Sequence, residues 1–382
     1  MRHPWYEFFA GGGMARLGLG ERNWKCVFAN DNSSKKAAAY RTAFGGGDEL
    51  KRCDIAHLTS GDLPGQAVLA WASFPCQDLS LAGNGAGLNG KRSGTFHAFW
   101  NLIERLKGEE RMPRIVVLEN VTGALSSHLG IDFRAILERM TASGYRTGAL
   151  VIDAVLFLPQ SRPRLFIIGV RRSCVIPPEI ESQIPLRPWH TTRMQKSLES
   201  MPAEFRKQWI WWNLPQPNTR VEGLCNLLLD RDNVIWHSPK ETERLLSLMS
   251  QLHRKKVEDA MVFGTTRVGT VYKRTRPLDT GGKEQRAEVR FDNISGCLRT
   301  PAGGSSRQIV LAIEGNKIQS RLLAPREAAR LMGVPDTYVL PASYNDAYHL
   351  FGDGLAVPVV QWLNRHLLLP LADAPNRNEI AA

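Results

Sequence analysis

Only six cysteines occur in 382 residues, at positions 26, 53, 76, 174, 225 and 297, and no two form a CxxC pair. That spacing provides neither a disulfide framework nor a zinc site, and it fits a reducing, cytoplasmic compartment with no bound metal. No stretch approaches the roughly 20 consecutive apolar residues of a membrane span. The opening MRHPWYEFFAGGGMARLG runs into a structured motif without an apolar leader, so no secretory signal is expected. Internal repeats and low-complexity tracts are absent, which excludes solenoid arrays. Acidic residues are in deficit, 37 against 49 lysines and arginines, for a net charge of +12. Such an excess favours an anionic partner, nucleic acid first, although a solvated basic surface has the same composition.

The length suits roughly two to three domains. Short apolar runs at 6–10, 26–30, 67–73, 114–120, 148–157 and 164–170 read as strands. Amphipathic stretches at 95–108 and 133–144 read as helices between them. Alternating strands and helices imply a parallel sheet covered on both faces, which takes ligands at the carboxyl ends of its strands. From about 172 the period breaks into prolines, tryptophans and charges. Residues 171–310 hold 23 basic and 15 acidic side chains, most of the chain's surplus. The densest block is RVGTVYKRTRPL at 267–278. Helical periodicity returns at 324–333 and 354–369, and 370–382 reads as a loose tail.

FFAGGGMARLGLG at 8–20 follows a strand and opens a helix. Glycines let the backbone approach a ligand closely, and the helix start offers free N–H groups, though such turns also form without a ligand. FANDN at 28–32 ends the next strand with Asp31, where a ribose hydroxyl pair is gripped in sheets of this kind. Asp54 and Ile55 follow in CDIAHL, an acid able to meet an adenine amino group beside a side chain able to pack on its ring. Three such signals in succession favour an adenosine-containing cofactor.

SFPCQDLSLAG at 73–83 then places Cys76 at the same edge, in a turn stiffened by Pro75. The glycine-rich stretch 81–95, with Lys91 and Arg92, has the composition of a loop that closes over a phosphate backbone. Glu119 stands at the exit of the apolar strand RIVVLENV. A carboxyl there is expected to have a raised pKa and to share a proton with a ring nitrogen, although a solvent-facing Glu at a strand end is common. Arg162 and Arg164 in PQSRPRLFIIG stand two apart and are expected on one strand face, as partners for Glu119 and for a substrate carbonyl oxygen.

The ordered set FFAGGG, FANDN, CDI, FPCQDLSLAG, ENV and QSRPR resembles the DNA (cytosine-5)-methyltransferase family of bacterial and phage type, including restriction-modification members. LLAPREAARLMGVPDTY at 322–338 and AYHLFGDGLAVPVV at 347–360 carry the same likeness. It implies an α/β, Rossmann-like methyltransferase fold, a doubly wound mixed sheet with a smaller, irregular target recognition domain. The implied division is 1–171 for the catalytic, cofactor-binding domain, 172–310 for target recognition, and 311–382 for a segment returning to the catalytic domain. S-adenosylmethionine is the implied methyl donor, S-adenosylhomocysteine the product and double-stranded DNA the partner. A cognate restriction endonuclease would act separately, and a monomer is expected.

By the same resemblance, Cys76 adds to carbon 6 of a flipped cytosine, Glu119 holds or protonates nitrogen 3, Arg164 contacts the cytosine oxygen and braces Glu119, and Arg162 positions both. The cofactor residues carried over are Phe9, Ala10, Gly11, Gly13, Asp31, Asn32, Asp54, Ile55, Pro75, Asp353 and Gly354. Expected DNA contacts are Ser80, Lys91, Arg92, Lys273, Arg274, Arg276, Arg299 and Arg307, with Arg274 and Arg276 favoured as base readers.

Four positions depart from the family's usual pattern: Glu7 for an aspartate, Met14 for a glycine, and Asp353-Gly354 where Asn-Ser is common. RNA-directed relatives carry PPCQPF and a Cys-Phe-Thr motif, and this chain has neither. A non-catalytic DNA-binding relative would have no need of Cys76 and Glu119. A nicotinamide-dependent oxidoreductase shares the glycines but leaves Cys76 and ENV without a role.

Overall fold

The computed structural model describes residues 2–75, 95–217, 222–277, 281–300 and 307–377. They form two compact units, one of residues 1–153, 163–217 and 359–382, the other of 154–162 and 218–358.

The first unit is built on a nine-stranded sheet. Its strands are β1 (His3–Phe8), β2 (Trp24–Asp31), β3 (Leu50–Arg52), β4 (Leu69–Ala72), β5 (Ile115–Val121), β6 (Tyr145–Asp153), β7 (Pro163–Arg171), β8 (Glu181–Ser182) and β9 (Trp209–Trp212). The order is β3-β2-β1-β4-β5-β7-β6-β9-β8. The first five run parallel, and β7 runs antiparallel to both β5 and β6. The chain builds outward from β1 through β2 to β3, then returns to the other side of β1 with β4. That reversal is the switch point at which open α/β sheets bind ligands.

Alternation along the strands explains how the sheet is covered. Tyr6 and Phe8 on β1, Val116 and Leu118 on β5, and Leu165 and Ile167 on β7 enter one core. Helix α3 (Thr95–Gly108) adds Phe96, Phe99, Trp100 and Ile103, and α4 (Ile131–Ala142) adds Phe133, Ile136 and Leu137. Helices α1 (Met14–Leu19) and α2 (Ser34–Phe44) follow β1 and β2, and Ala37 and Tyr40 of α2 pack with Ala29 and Leu50.

Two stretches depart from the sequence expectation. Residues 172–217 group with the first unit, because β9 pairs with Thr147 and Gly148 of β6. Gly148 permits that approach: a Cβ there would lie 2.3 Å from the Ile210 carbonyl oxygen. The supposed tail packs as far as it is described. Leu371 is fully buried, and Arg114 donates to the carbonyls of Ala372, Ala374 and Pro375.

The second unit holds a four-stranded antiparallel sheet in the order β11-β10-β12-β13. The strands are β10 (Arg267–Pro277), β11 (Lys283–Arg290), β12 (Ile309–Glu314) and β13 (Lys317–Leu322). Val271, Ala287, Val289, Ile309 and Leu311 pack under Leu245, Val257 and Ala260 from the helical pair Pro239–Ser247 and Gln251–Met261, and under Met249 between the two helices. Because β12 pairs with β10, the segment from 309 cannot leave this unit, and the chain rejoins the first unit only at 359 rather than at 311. A buried ion pair, Arg321 Nη2 to Glu327 Oε1 at 2.6 Å, anchors the following helix Pro325–Arg330. Among the described residues no helix is long and apolar enough to cross a membrane.

Candidate active site

Four strand ends of the first unit build the cofactor side. After β1, Phe9 turns with φ 57° into Gly11 and Gly13, at φ 58° and 77°. A Cβ on Gly13 would lie 2.2 Å from the Phe44 ring, so glycine is required by space as well as by conformation. A Cβ on Gly11 would meet nothing within 4 Å, so the backbone there faces open space. Ala10 is buried, and its N–H donates to the Asn30 carbonyl at 2.8 Å.

Asp31, at the end of β2, is 5% exposed. One carboxylate oxygen accepts from the Gly11 N–H at 2.9 Å and the other from the Ser33 N–H at 2.8 Å. Asp31 therefore fixes the glycine turn as well as offering an anion beside it. Asn32 next to it is exposed. Past β3, Asp54 is exposed and accepts from the Ala56 N–H at 2.9 Å, capping the turn Ile55–His57. The Ile55 side chain is 3% exposed and belongs to the core, so its contact area for a ring is small. Pro75, half-buried, follows β4. An open glycine backbone, two acids as hydrogen-bond acceptors and the apolar Phe9 and Pro75 along one sheet edge are a set of groups that fits S-adenosylmethionine.

The neighbouring strands supply the catalytic candidates. Glu119 on β5 and Arg164 on β7 form an ion pair at 3.2 Å, with side chains 10% and 16% exposed. Antiparallel register makes this possible: Val121 lies opposite Arg164 and Glu119 opposite Phe166, so the two are diagonal neighbours on one face. Sequence reading missed the role of Asn120. It is buried, and its side-chain amide donates to the Phe74 carbonyl at 3.1 Å, two residues before Cys76. The ENV motif thus grips the strand end that leads to Cys76. Its position inside that motif was the available signal. Cys76 itself, with Ser80, Lys91 and Arg92, lies outside the described residues.

Arg162 does not share a strand face with Arg164. It precedes β7, belongs to the second unit and is 2% exposed. Its guanidinium donates to the carbonyls of Leu298 at 2.9 Å, Gly352 at 3.0 Å and Gly354 at 2.7 Å. It is a backbone clamp around the GDG segment, because three carbonyls converge on one fork. Asp353 there is exposed and accepts from the Thr300 hydroxyl.

The expected DNA contacts of the second unit are scattered. Arg274 and Arg276 share the Glu288 carboxylate, Arg299 is exposed, and Arg307 lies 5.1 Å over the Tyr344 ring while donating to Asn345. Lys273 sits opposite Ala287, on the sheet face away from that arginine pair.

Residues 5–368 match the family of C-5 cytosine-specific DNA methylases. The chain belongs to that family. It is 26% identical over 361 residues to the type II methyltransferase M.HhaI of Haemophilus parahaemolyticus, covering 94% of this chain and 91% of the relative. M.BsuFI of Bacillus subtilis is 26% identical over 356 residues, 93% of this chain and 70% of that protein. Among solved structures, the Entamoeba histolytica methyltransferase EhMeth has a TM-score of 0.60 at 14% identity, over 95% of this chain and 97% of its own. The Dnmt2 methyltransferase of S. pombe has a TM-score of 0.56 at 18% identity, over 96% and 98%, a likeness of fold. Membership makes this chain a DNA cytosine-5 methyltransferase in its general reaction, with S-adenosylmethionine as the family's methyl donor and DNA as its substrate.

Proposed function

We propose that this methyltransferase acts on a cytosine flipped out of a specific duplex sequence, through a covalent adduct with Cys76. The observation that carries the reading is the paired, largely buried Glu119 and Arg164, in a chain whose ENV motif also holds the backbone leading to Cys76. Carbon 5 of cytosine is a poor nucleophile, and the target must leave the stack to be reached. The Cys76 thiolate adds to carbon 6, and the ring electron pair shifts toward carbon 5. Glu119 supplies a proton at nitrogen 3, which relieves the negative charge that would otherwise build in the ring. Arg164 holds the Glu119 carboxyl and meets the cytosine oxygen.

Phe9, Gly11, Asp31 and Asp54 would hold S-adenosylmethionine, which supplies an electrophilic methyl on a sulfonium centre. Once carbon 5 carries the methyl, a base takes its proton, the carbon 5–carbon 6 double bond reforms, Cys76 leaves as thiolate, and nitrogen 3 returns its proton to Glu119. Arg162 fixes the backbone bearing Asp353 and Gly354. The second unit supplies target recognition, and the protein works as a monomer beside any separate endonuclease.

Fluorine at carbon 5 blocks the final proton removal. A duplex library carrying 5-fluorocytosine should therefore trap the wild-type chain as a denaturation-resistant adduct and leave Cys76→Ser untrapped. Equal trapping of both proteins would refute the assignment of Cys76.

A further inference from the structure

The open face of the β10–β11 ribbon carries a charge arrangement that methyl transfer does not use. Directly opposed residues of an antiparallel pair share a face. Tyr272 with Glu288, Arg274 with Arg286, and Arg276 with Glu284 therefore lie together, while Val271, Ala287 and Val289 point to the core. On the open face the Glu288 carboxylate sits between two arginines. One oxygen is 3.3 Å from Arg274 Nε, and the other accepts from Arg276 Nη2 at 2.5 Å and Nε at 3.2 Å. Arg274 lies 4.6 Å over the Tyr272 ring and donates to its hydroxyl at 2.6 Å. Both arginine side chains keep exposed surface, 34% and 46% accessible, although Arg274 Nε is buried.

This arrangement suits base edges better than phosphates. A phosphate site gains from uncompensated cations, whereas here one carboxylate neutralises one of two charges and repels an incoming anion. The neighbouring Arg286 is likewise compensated, by Glu284 at 2.7 Å. The carboxylate and the ring also limit the freedom of two long side chains, which lowers the entropy lost when a fork docks. Guanine offers two adjacent acceptors to an arginine fork in the major groove, cytosine offers an amino donor to a carboxylate, and a two-stranded ribbon fits that groove.

We infer that Arg274 and Arg276 read guanines in the recognised sequence, and that Glu288 is the positioning residue that sets the direction of both forks. The inference rests on the reading that this chain acts on a specific duplex sequence. The full chain is mixed with a random-sequence duplex pool, the bound DNA is sequenced, and affinity is measured against salt. The wild type should enrich a guanine-containing motif. Arg274→Lys and Arg276→Lys retain the charge but lose the fork. Each should lose roughly 5- to 150-fold preference for guanine at one position with the salt slope unchanged. Glu288→Gln should blur both positions at once while affinity for random duplex holds or rises, because a repelling carboxylate is removed. Thermal denaturation of each variant separates these effects from misfolding, and the two lysine variants carry the test if Glu288→Gln does not fold. A wild-type motif without guanine, or lysine variants that keep the wild-type motif, would overturn the inference. So would alanine variants that weaken all sequences alike and flatten the salt slope by about one unit each, the signature of phosphate contacts. Methyl transfer is assayed separately, so a failure of the enzymatic reading shows as a chain that selects a motif and leaves it unmethylated.

Discussion

Arg164 Nε stands 3.2 Å from a carboxylate oxygen of Glu119, across two strands that run in opposite directions. In an all-parallel sheet β7 would enter this edge with the other end of its chain. The antiparallel insertion of β7 beside β5 instead brings the start of β7 to the exit of β5, which is where the pair forms. Both side chains are largely withdrawn from water, so each helps compensate the other's charge.

Arg164→Ala should therefore cost stability as well as activity. Stranding a buried partner costs about 3–5 kcal/mol, and the residual exposure of both side chains puts this case near the lower end. Glu119→Gln keeps the shape and should fold nearly as well, while methyl transfer falls by roughly 10²- to 10⁴-fold through loss of the proton donor. Urea midpoints and single-turnover rates on the two variants check the division. A fully active Glu119→Gln would remove this carboxyl from the chemistry.

Asp31 has a double duty, because its carboxylate already holds the Gly11 and Ser33 N–H groups. Asp31→Ala should weaken S-adenosylmethionine binding by about 1.5–3 kcal/mol for each charged hydrogen bond lost, and should loosen the glycine turn. Asp54→Ala removes an exposed cap and should have the smaller effect on stability. Calorimetric titration measures both, and unchanged affinity in the two variants would put the nucleoside elsewhere.

Glu7 predicts a pH dependence of stability. It is buried near the end of β1 beside Arg16, Tyr40 and Glu49, and burial pushes its pKa from 4.5 up to about 8 against the pull of Arg16. A carboxyl with a raised folded-state pKa stabilises the fold while protonated. That contribution is complete below about pH 4.5 and is lost as pH rises through about 8. Relative to Glu7→Gln, the wild type should thus lose stability between these values, by at most about 1.4 kcal/mol per pH unit. Above pH 8 the difference should level off. Denaturation midpoints of both proteins from pH 4 to 9 provide the curve, and a flat difference would contradict the assignment.

Motifs legible in the sequence were those whose chemistry is local. The glycine turn at 11–13 and the acids Asp31 and Asp54 follow their strands directly, so order along the chain already places them. Glu119 and Arg164 were readable as candidates, but their pairing depends on the antiparallel register of β5 and β7, which no local pattern encodes. Arg162 was misplaced for a related reason. Two residues from Arg164, it stops short of β7, and three carbonyls distant in sequence claim its fork. The ribbon at 267–290 was read as irregular because its exposed positions carry arginine and glutamate where a simple apolar alternation would have shown. The unit boundaries were hidden by long-range pairings: β9 onto β6, and β12 onto β10.

The central claim is methylation of carbon 5 of cytosine in duplex DNA, and transfer of a labelled methyl group tests it most directly. The purified chain is supplied with S-adenosylmethionine carrying a tritiated methyl, and with duplex DNA or structured RNA in parallel. Digestion to nucleosides then locates the label. The account predicts label in 5-methylcytosine from duplex DNA, none in RNA, and none in either with Cys76→Ala. Label in RNA alone, on another base, or persisting in Cys76→Ala would contradict it.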